Sequence, residues 1–308
     1  MDLGKNCVYA SNFAGGMTPQ CSTATVRLTP EVAMQTSAID DFDSLASNAA
    51  PRIAFALSTK DRTQLTEQML PGLDCGGFDL FWCDGSTTDD GRYFPSPRHF
   101  KHTRLREICY DVTGGPDAAI QFALKKLLSL GYDFVGLIEN DISLKTGWLQ
   151  ALVEAWNNAQ ADGFTVGSAT VRSIASRVLA RSPTYVVKWN MGAGMVLFSR
   201  AAAQAVLDDY HTTHAVHLHQ YYQSNLGVDL SSVWELFMDQ PDRTLGSDWH
   251  YAVSMLKRGF ISVGTIPSHA ENIDTDLEDL CRTRYVRSAD DALPAHCLST
   301  ARLKSVLG

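Results

Sequence analysis

Two acidic clusters stand where residues of their type can do chemistry. Cys83-Asp84-Gly85-Ser86-Thr87-Thr88-Asp89-Asp90 follows one short apolar run, and Glu139-Asn140-Asp141 follows another. A carboxylate leaving a buried strand at each place lets the two meet across a cleft, one reading a base and the other holding a hard cation through oxygen ligands. Nucleotide plus divalent metal, Mn2+ or Mg2+, is the expected ligand pair.

Each cluster needs an element behind it. The runs Ile53–Leu57, Phe78–Trp82 and Phe134–Ile138 are wholly or almost wholly apolar, which predicts strands buried on both faces. Ile120, Ala123, Leu124, Leu127 and Leu128 form one apolar helical face, with Pro116-Asp117 at its start and Gly131 at its end. Trp148, Ala151, Leu152, Ala155 and Trp156 repeat that spacing, and Met195–Phe198 predicts a further strand with Ser199 capping the helix after it. Trp249, Ala252, Val253 and Leu256 predict another helix, stopped by Gly259 before the strand Phe260–Val263. The alternation predicts an α/β layered domain over residues 51–270, with ligands at the carboxyl ends of its strands. Residues 1–50 read as an N-terminal arm. Residues 271–308, acidic around Asp274–Asp279 and then basic at Arg282, Arg284 and Arg287, read as a tail packed on the domain or closing over its site.

Composition narrows the class. The 308 residues are 45% hydrophobic and 19% charged, ordinary for a globular chain. A net charge of −8 offers no global field to polyanions, which excludes generic coating of nucleic acid. The longest apolar runs fall far short of the ~20 residues that span a bilayer, so no transmembrane segment is expected. Met1–Cys7 lacks the basic-then-apolar pattern of a secretory signal, and the seven cysteines contain no C-x-x-C. A reduced, cytoplasmic location is the expectation.

Taken in order, these segments resemble the family-two glycosyltransferases of the GT-A type. Phe81-Trp82-Cys83-Asp84-Gly85-Ser86-Thr87 is similar to the family's base-binding loop, and Leu137-Ile138-Glu139-Asn140-Asp141 with Lys145-Thr146-Gly147-Trp148-Leu149 to its D-x-D strand and continuation. Asn190-Met191-Gly192-Ala193-Gly194-Met195 resembles the small-residue segment where sugar and acceptor approach the backbone, and Leu245-Gly246-Ser247-Asp248-Trp249 the motif carrying a catalytic base. The resemblance implies a mixed, mostly parallel central sheet flanked by helices, and an inverting, metal-dependent sugar transfer. The donor is a nucleoside-diphosphate sugar, UDP-sugar favoured over GDP-sugar, and the acceptor a glycan or other hydroxyl compound. It implies donor contacts from Ser58, Asp84, Gly85, Ser86, Glu139 and Asn140, and metal ligation by Asp141 and His269. Asp248 becomes the base, and Gly192, Gly194, Trp189 and Trp249 line the sugar or acceptor side. Cys83 and Glu139 stand where the family commonly has aspartate, and Ser247 where it has glutamate. Breaking the anomeric bond leaves charge on the diphosphate for the cation to stabilise, while a carboxylate takes the proton of the attacking hydroxyl.

Two further clusters belong to no motif. His211, His214, His217 and His219 match neither one helical face nor a strand, and read as an acceptor-side loop. Arg92, Arg98, His99, Lys101, His102, Arg104 and Arg106 include no acidic neighbour, which suits either a solvated face or an anionic partner, a nucleic-acid acceptor being the minority reading. The alternatives to transfer are a sugar nucleotidyltransferase, which needs a glycine-rich loop where this chain has Ser58-Thr59-Lys60-Asp61-Arg62, and a non-catalytic module binding nucleotide sugars or glycans.

Overall fold

The computed structural model describes residues 51–191, 194–230, 244–273 and 297–307. The three apolar runs become β1 (Ile53–Thr59), β2 (Asp79–Asp84) and β4 (Phe134–Glu139). Between them lie α1 (Thr63–Leu73), β3 (Arg104–Cys109) and α2 (Gly115–Ser129), which buries the five apolar positions its spacing marks. After β4 come β5 (Ile142–Leu144), α3 (Trp148–Ala161), β6 (Val166–Thr170), β7 (Val178–Arg181), β8 (Tyr185–Lys188) and β9 (Met195–Ser199). Ser199 caps α4 (Arg200–Asp208), its Oγ accepting from the Ala202 N–H at 3.3 Å. Then follow β10 (Thr213–His214), α5 (Ala215–Leu226), β11 (Thr244–Leu245), a 3-10 turn at Ser247–His250, the helix Tyr251–Leu256, β12 (Ile261–Thr265) and β13 (Ala270–Asn272). The last pieces are β14 (Leu298–Ser299) and the helix Thr300–Leu307.

Among the described residues ten strands form one sheet in the order β14-β7-β8-β12-β6-β9-β4-β1-β2-β3. Strands β3, β2, β1 and β4 are mutually parallel, and β9 and β8 run against their neighbours. This is the mixed, mostly parallel sheet flanked by helices that the sequence leads one to expect. Alternate residues of β1 serve opposite layers: Phe55 and Leu57 pack in one core with Phe78 and Trp148, while Ala54 and Ala56 pack in the other with Leu124 of α2. Phe55, Phe78 and Trp148 meet edge to face with centroids 5.1 to 5.7 Å apart, fixing α3 beneath β1.

The segment read as a histidine-bearing loop is mostly helix. His217 and His219 lie on α5 and His214 immediately precedes it; two residues apart on a helix, His217 and His219 point to different faces. Among the described residues no helix is long and apolar enough to cross a membrane. The cysteines Cys75, Cys83, Cys109 and Cys297 are free thiols. The arm at 1–50 and most of the tail lie outside the described residues. The part of the tail that is described adds β14 to the sheet edge beside β7 and buries Leu303 in the core.

Candidate active site

Strand register brings the sequence clusters side by side. Ser58 of β1 sits opposite Cys83 of β2 on one side and Glu139 of β4 on the other, and Thr59 sits opposite Asp84. The carboxyl ends of three parallel strands therefore form one rim. A cavity of about 30 Å³, enough for one water, opens behind it between Ser58, Cys83, Pro116 and Glu139.

Asp84, expected to read a base, is fully buried. Its Oδ1 accepts from Thr59 Oγ1 at 2.8 Å and Ser86 Oγ at 2.9 Å, and its Oδ2 pairs with Arg92 Nε at 3.2 Å. The carboxylate faces these partners and anchors the loop. Ser86 also accepts from the Asp61 N–H and bonds the Gly91 carbonyl, so it knits three loop segments together. Gly85 donates its N–H to the Thr59 carbonyl, and a Cβ there would stand 2.8 Å from the Val112 carbonyl, so only glycine lets β2 turn this close to the segment after β3. Asn140 is buried and donates to the Asp61 carbonyl and Thr66 Oγ1, holding the start of α1.

Glu139 and Asp141 remain at the rim, at the carboxyl end of β4. Asp141 Oδ2 lies 3.9 Å from Arg62 Nη1. Burial pushes the Glu139 carboxyl up to about 8; the charges of Asp141 and Asp248 add to the shift, while Arg172 and Arg177 oppose it. Tertiary folding thus brings Asp248, from the 3-10 turn, into the field of the β4 end. Burial pushes Asp248 itself up to about 6, with Arg177 pulling down and Asp117 pushing up. Gly194 completes this wall: its carbonyl accepts the Glu139 N–H at 2.8 Å, and a Cβ on it would stand 3.6 Å from Glu139 Oε2 and 2.9 Å from Ile142 Cδ1. Gly192 lies outside the described residues.

His269 lies just before β13, on the chain that pairs with β5. In the β13–β5 ladder Ala270 opposes Leu144 and Asn272 opposes Ile142, so His269 stands beside Lys145, whose N–H it accepts, while Ile273 donates to the Asp141 carbonyl. Trp249 is half-buried, with the Arg177 guanidinium 5.7 Å from its ring and Trp189 behind it at 6.3 Å. Trp189 is buried and donates its indole N–H to the Ser176 carbonyl, so it backs the site from within the core.

Several site residues carry no sequence signal. Asp61 and Arg62 adopt left-handed backbone at φ 53° and 55° without glycine, at the turn that presents Arg62 to Asp141. Asp117, at the start of α2, accepts from Ser247 Oγ at 2.8 Å and from Tyr210, and so ties the base-bearing turn to that helix. Lys188 is fully buried and donates to the carbonyls of Arg172 and Met191, clamping the arginine loop; burial holds its ammonium far below the usual lysine range. Three arginines of the basic stretch are paired: Arg92 with Asp84 and Asp111, and Arg104 and Arg106 with Asp79.

Asp209, His211 and His250 also come together, each with a ligand-capable atom within 4.8 Å of the others. Against the effect of burial, hydrogen bonds from Lys257, Ser254 and His250 hold Asp209 at about 2.

No protein-family model matches the chain, and no curated protein matches it. Among solved structures the chain is similar to TarS from S. aureus, with a TM-score of 0.36 and 14% identity over 50% of this chain and 29% of that one. It is similar to A197 from STIV, with a TM-score of 0.29 and 12% identity over 50% of this chain and 67% of that one. It is similar also to UTP-bound UGPase from Acinetobacter baumannii, with a TM-score of 0.41 and 9% identity over 75% of this chain and 91% of that one. The chain therefore spans 29% of the TarS chain. Likenesses this low define neither family nor activity.

Proposed function

We propose that the protein is a metal-dependent, inverting glycosyltransferase that moves a sugar from a nucleoside-diphosphate sugar to an acceptor hydroxyl. One observation carries this reading: Glu139 and Asp141, leaving β4, share an electrostatic neighbourhood with Asp248, which arrives from a turn more than 100 residues later, and with Arg172 and Arg177. Oxygen donors alone, with like charges forced close enough to raise Glu139, suit a hard Mg2+ or Mn2+ ion, and Asp141 with Glu139 would hold it. Such an ion stabilises the negative charge that develops on a leaving diphosphate.

The chain's own residues supply the rest. Asp248 takes the proton of the acceptor hydroxyl as it attacks, and a single displacement inverts the anomeric carbon. Asp117 and Ser247 hold the turn that carries Asp248, and Arg177 keeps a positive charge beside both the base and the Trp249 ring. Gly194 leaves room for the sugar beside Glu139. The rim over β1 and β2, shaped by Asp84 and Ser86, receives the nucleotide, a UDP-sugar ahead of a GDP-sugar. The loop Ser58–Arg62 has no glycine to cradle a triphosphate, which favours transfer over nucleotidyl chemistry.

Asp248→Asn tests the assignment. Asparagine fills nearly the same volume and holds its hydrogen bonds, but takes no proton at neutral pH. The melting temperature and donor binding should stay near wild type while transfer falls about 10²- to 10⁴-fold. Transfer within threefold of wild type would place the base elsewhere.

A further inference from the structure

The His211–His250 contact has no part in the sugar-transfer site. Their rings lie 4.0 Å apart between centroids, a close approach for two side chains that carry positive charge when protonated. His250 sits in the 3-10 turn with Asp248, 93% buried; one ring nitrogen faces Asp209 Oδ2 at 3.2 Å and the other is buried with no hydrogen-bond partner among the described residues. His211 Nδ1 meets the Asp209 backbone carbonyl at 2.8 Å. A backbone carbonyl on Nδ1 fixes the tautomer that leaves Nε2 as a ligand, the arrangement that orients histidines around metals. Asp209 Oδ2 is held by Ser254 at 3.0 Å and Lys257 at 2.9 Å, while Oδ1 lies on the His211 side at 3.8 Å.

We propose that Asp209, His211 and His250 form a binding site for a borderline transition-metal ion of the Zn2+ class, separate from the cation site at Asp141. Two imidazoles and one carboxylate favour Zn2+ over Mg2+ or Mn2+, and three protein ligands leave a fourth position for water or a further ligand. Bonds of about 2.0–2.1 Å set tetrahedral ligand atoms roughly 3.4 Å apart, so the three side chains close by about an ångström on the ion. His211, with a side chain 46% exposed, has the freedom to do so. Oδ1 is the carboxylate oxygen that binds, and Ser254 and Lys257 remain on Oδ2 as outer partners. The ligand atoms of Asp209, His211 and His250 lie within 4.8 Å of one another, and neither Asp141 nor Glu139 belongs to that group. Asp209 is the C-cap of α4 and His250 belongs to the base-bearing turn, so the ion staples that turn to the helix layer.

The test is titration of untagged full-length protein with ZnCl2 by calorimetry, with Co2+ absorption as a second readout of imidazole coordination. Wild type should bind one Zn2+ at this site and melt at a higher temperature with it. His211→Ala, a change at a half-exposed side chain, should weaken that binding about 100-fold and abolish the Co2+ spectrum, and Asp209→Asn should weaken it likewise. Asp141→Ala should leave both readouts unchanged. Absence of stoichiometric Zn2+ binding in wild type, or binding that is the same in His211→Ala, overturns the proposal. Loss of Zn2+ binding in Asp141→Ala with His211→Ala unaffected assigns the ion to the β4 end and overturns it as well.

Discussion

At the scale of single residues, chemistry and architecture divide between aspartates that look alike in sequence. Asp84 has its carboxylate filled by Thr59, Ser86 and Arg92, whereas Asp141 stays at the rim within 3.9 Å of Arg62. Asp141→Ala should therefore abolish the Mn2+-dependent rise in melting temperature that a nucleoside diphosphate gives wild type, a rise worth about 2.7 kcal/mol at 100 times the dissociation constant. An unchanged rise would remove Asp141 from the donor site. Asp79 is a structural counterpart: it accepts from Tyr132 at 2.6 Å and from Arg104 at 2.7 Å. Burial, the hydrogen bond to Asp79 and its charge push the Tyr132 hydroxyl up to about 12. The folded protein therefore keeps this proton where the unfolded chain, near 10, has released it. The stability it supplies is present below about pH 10 and is lost as pH rises toward 12. Tyr132→Phe should cost about 1.5–3 kcal/mol at pH 7, read from the urea midpoint, and should flatten the alkaline fall of that midpoint.

At the scale of elements, the loops after β1, β2 and β4 act as one unit because their side chains bond one another. Ser86 reaches Asp61, Asn140 reaches Asp61 and Thr66, and Arg92 spans Asp84 and Asp111. Removing the central acceptor strips two hydroxyls of their partner and leaves Arg92, its side chain 17% exposed, with less countercharge. Asp84→Ala should destabilise the protein by about 3–5 kcal/mol, as breaking a buried ion pair does, with an unchanged denaturant slope. A variant as stable as wild type but unable to bind nucleotide would instead make Asp84 a direct contact to the base. The basic stretch shows the same logic in reverse. Arg92, Arg104 and Arg106 find aspartates from β2 and the loop after β3, partners that sequence proximity does not reveal.

At the scale of the whole molecule, the sheet extends well past the residues that carry the site. β14 adds to the edge next to β7, and the helix after it buries Leu303 in the larger core, about 250 residues from β1. Leu303→Ala should cost about 2–5 kcal/mol by opening a cavity at that edge. Thermal unfolding that is the same in this variant would show that the last helix is dispensable to the core.

The sequence by itself determined the layered class and the places where polar clusters leave buried strands, because wholly apolar runs and 3-4-7-8 spacings demand burial wherever the chain goes. The Ser199 cap was legible too, because it answers a local backbone need. Only the tertiary structure decided which acidic residue is consumed by the scaffold, because Asp84 meets Arg92 through a loop and Thr59 through strand register. It set His269 beside Lys145 through the β13–β5 pairing, and it carried Asp248 to Glu139 and His250 to His211 across long stretches of chain. Periodicity records what a residue's own element buries, whereas charge, ligation and proton affinity depend on neighbours that other elements bring, and those neighbours exist only once the chain has folded.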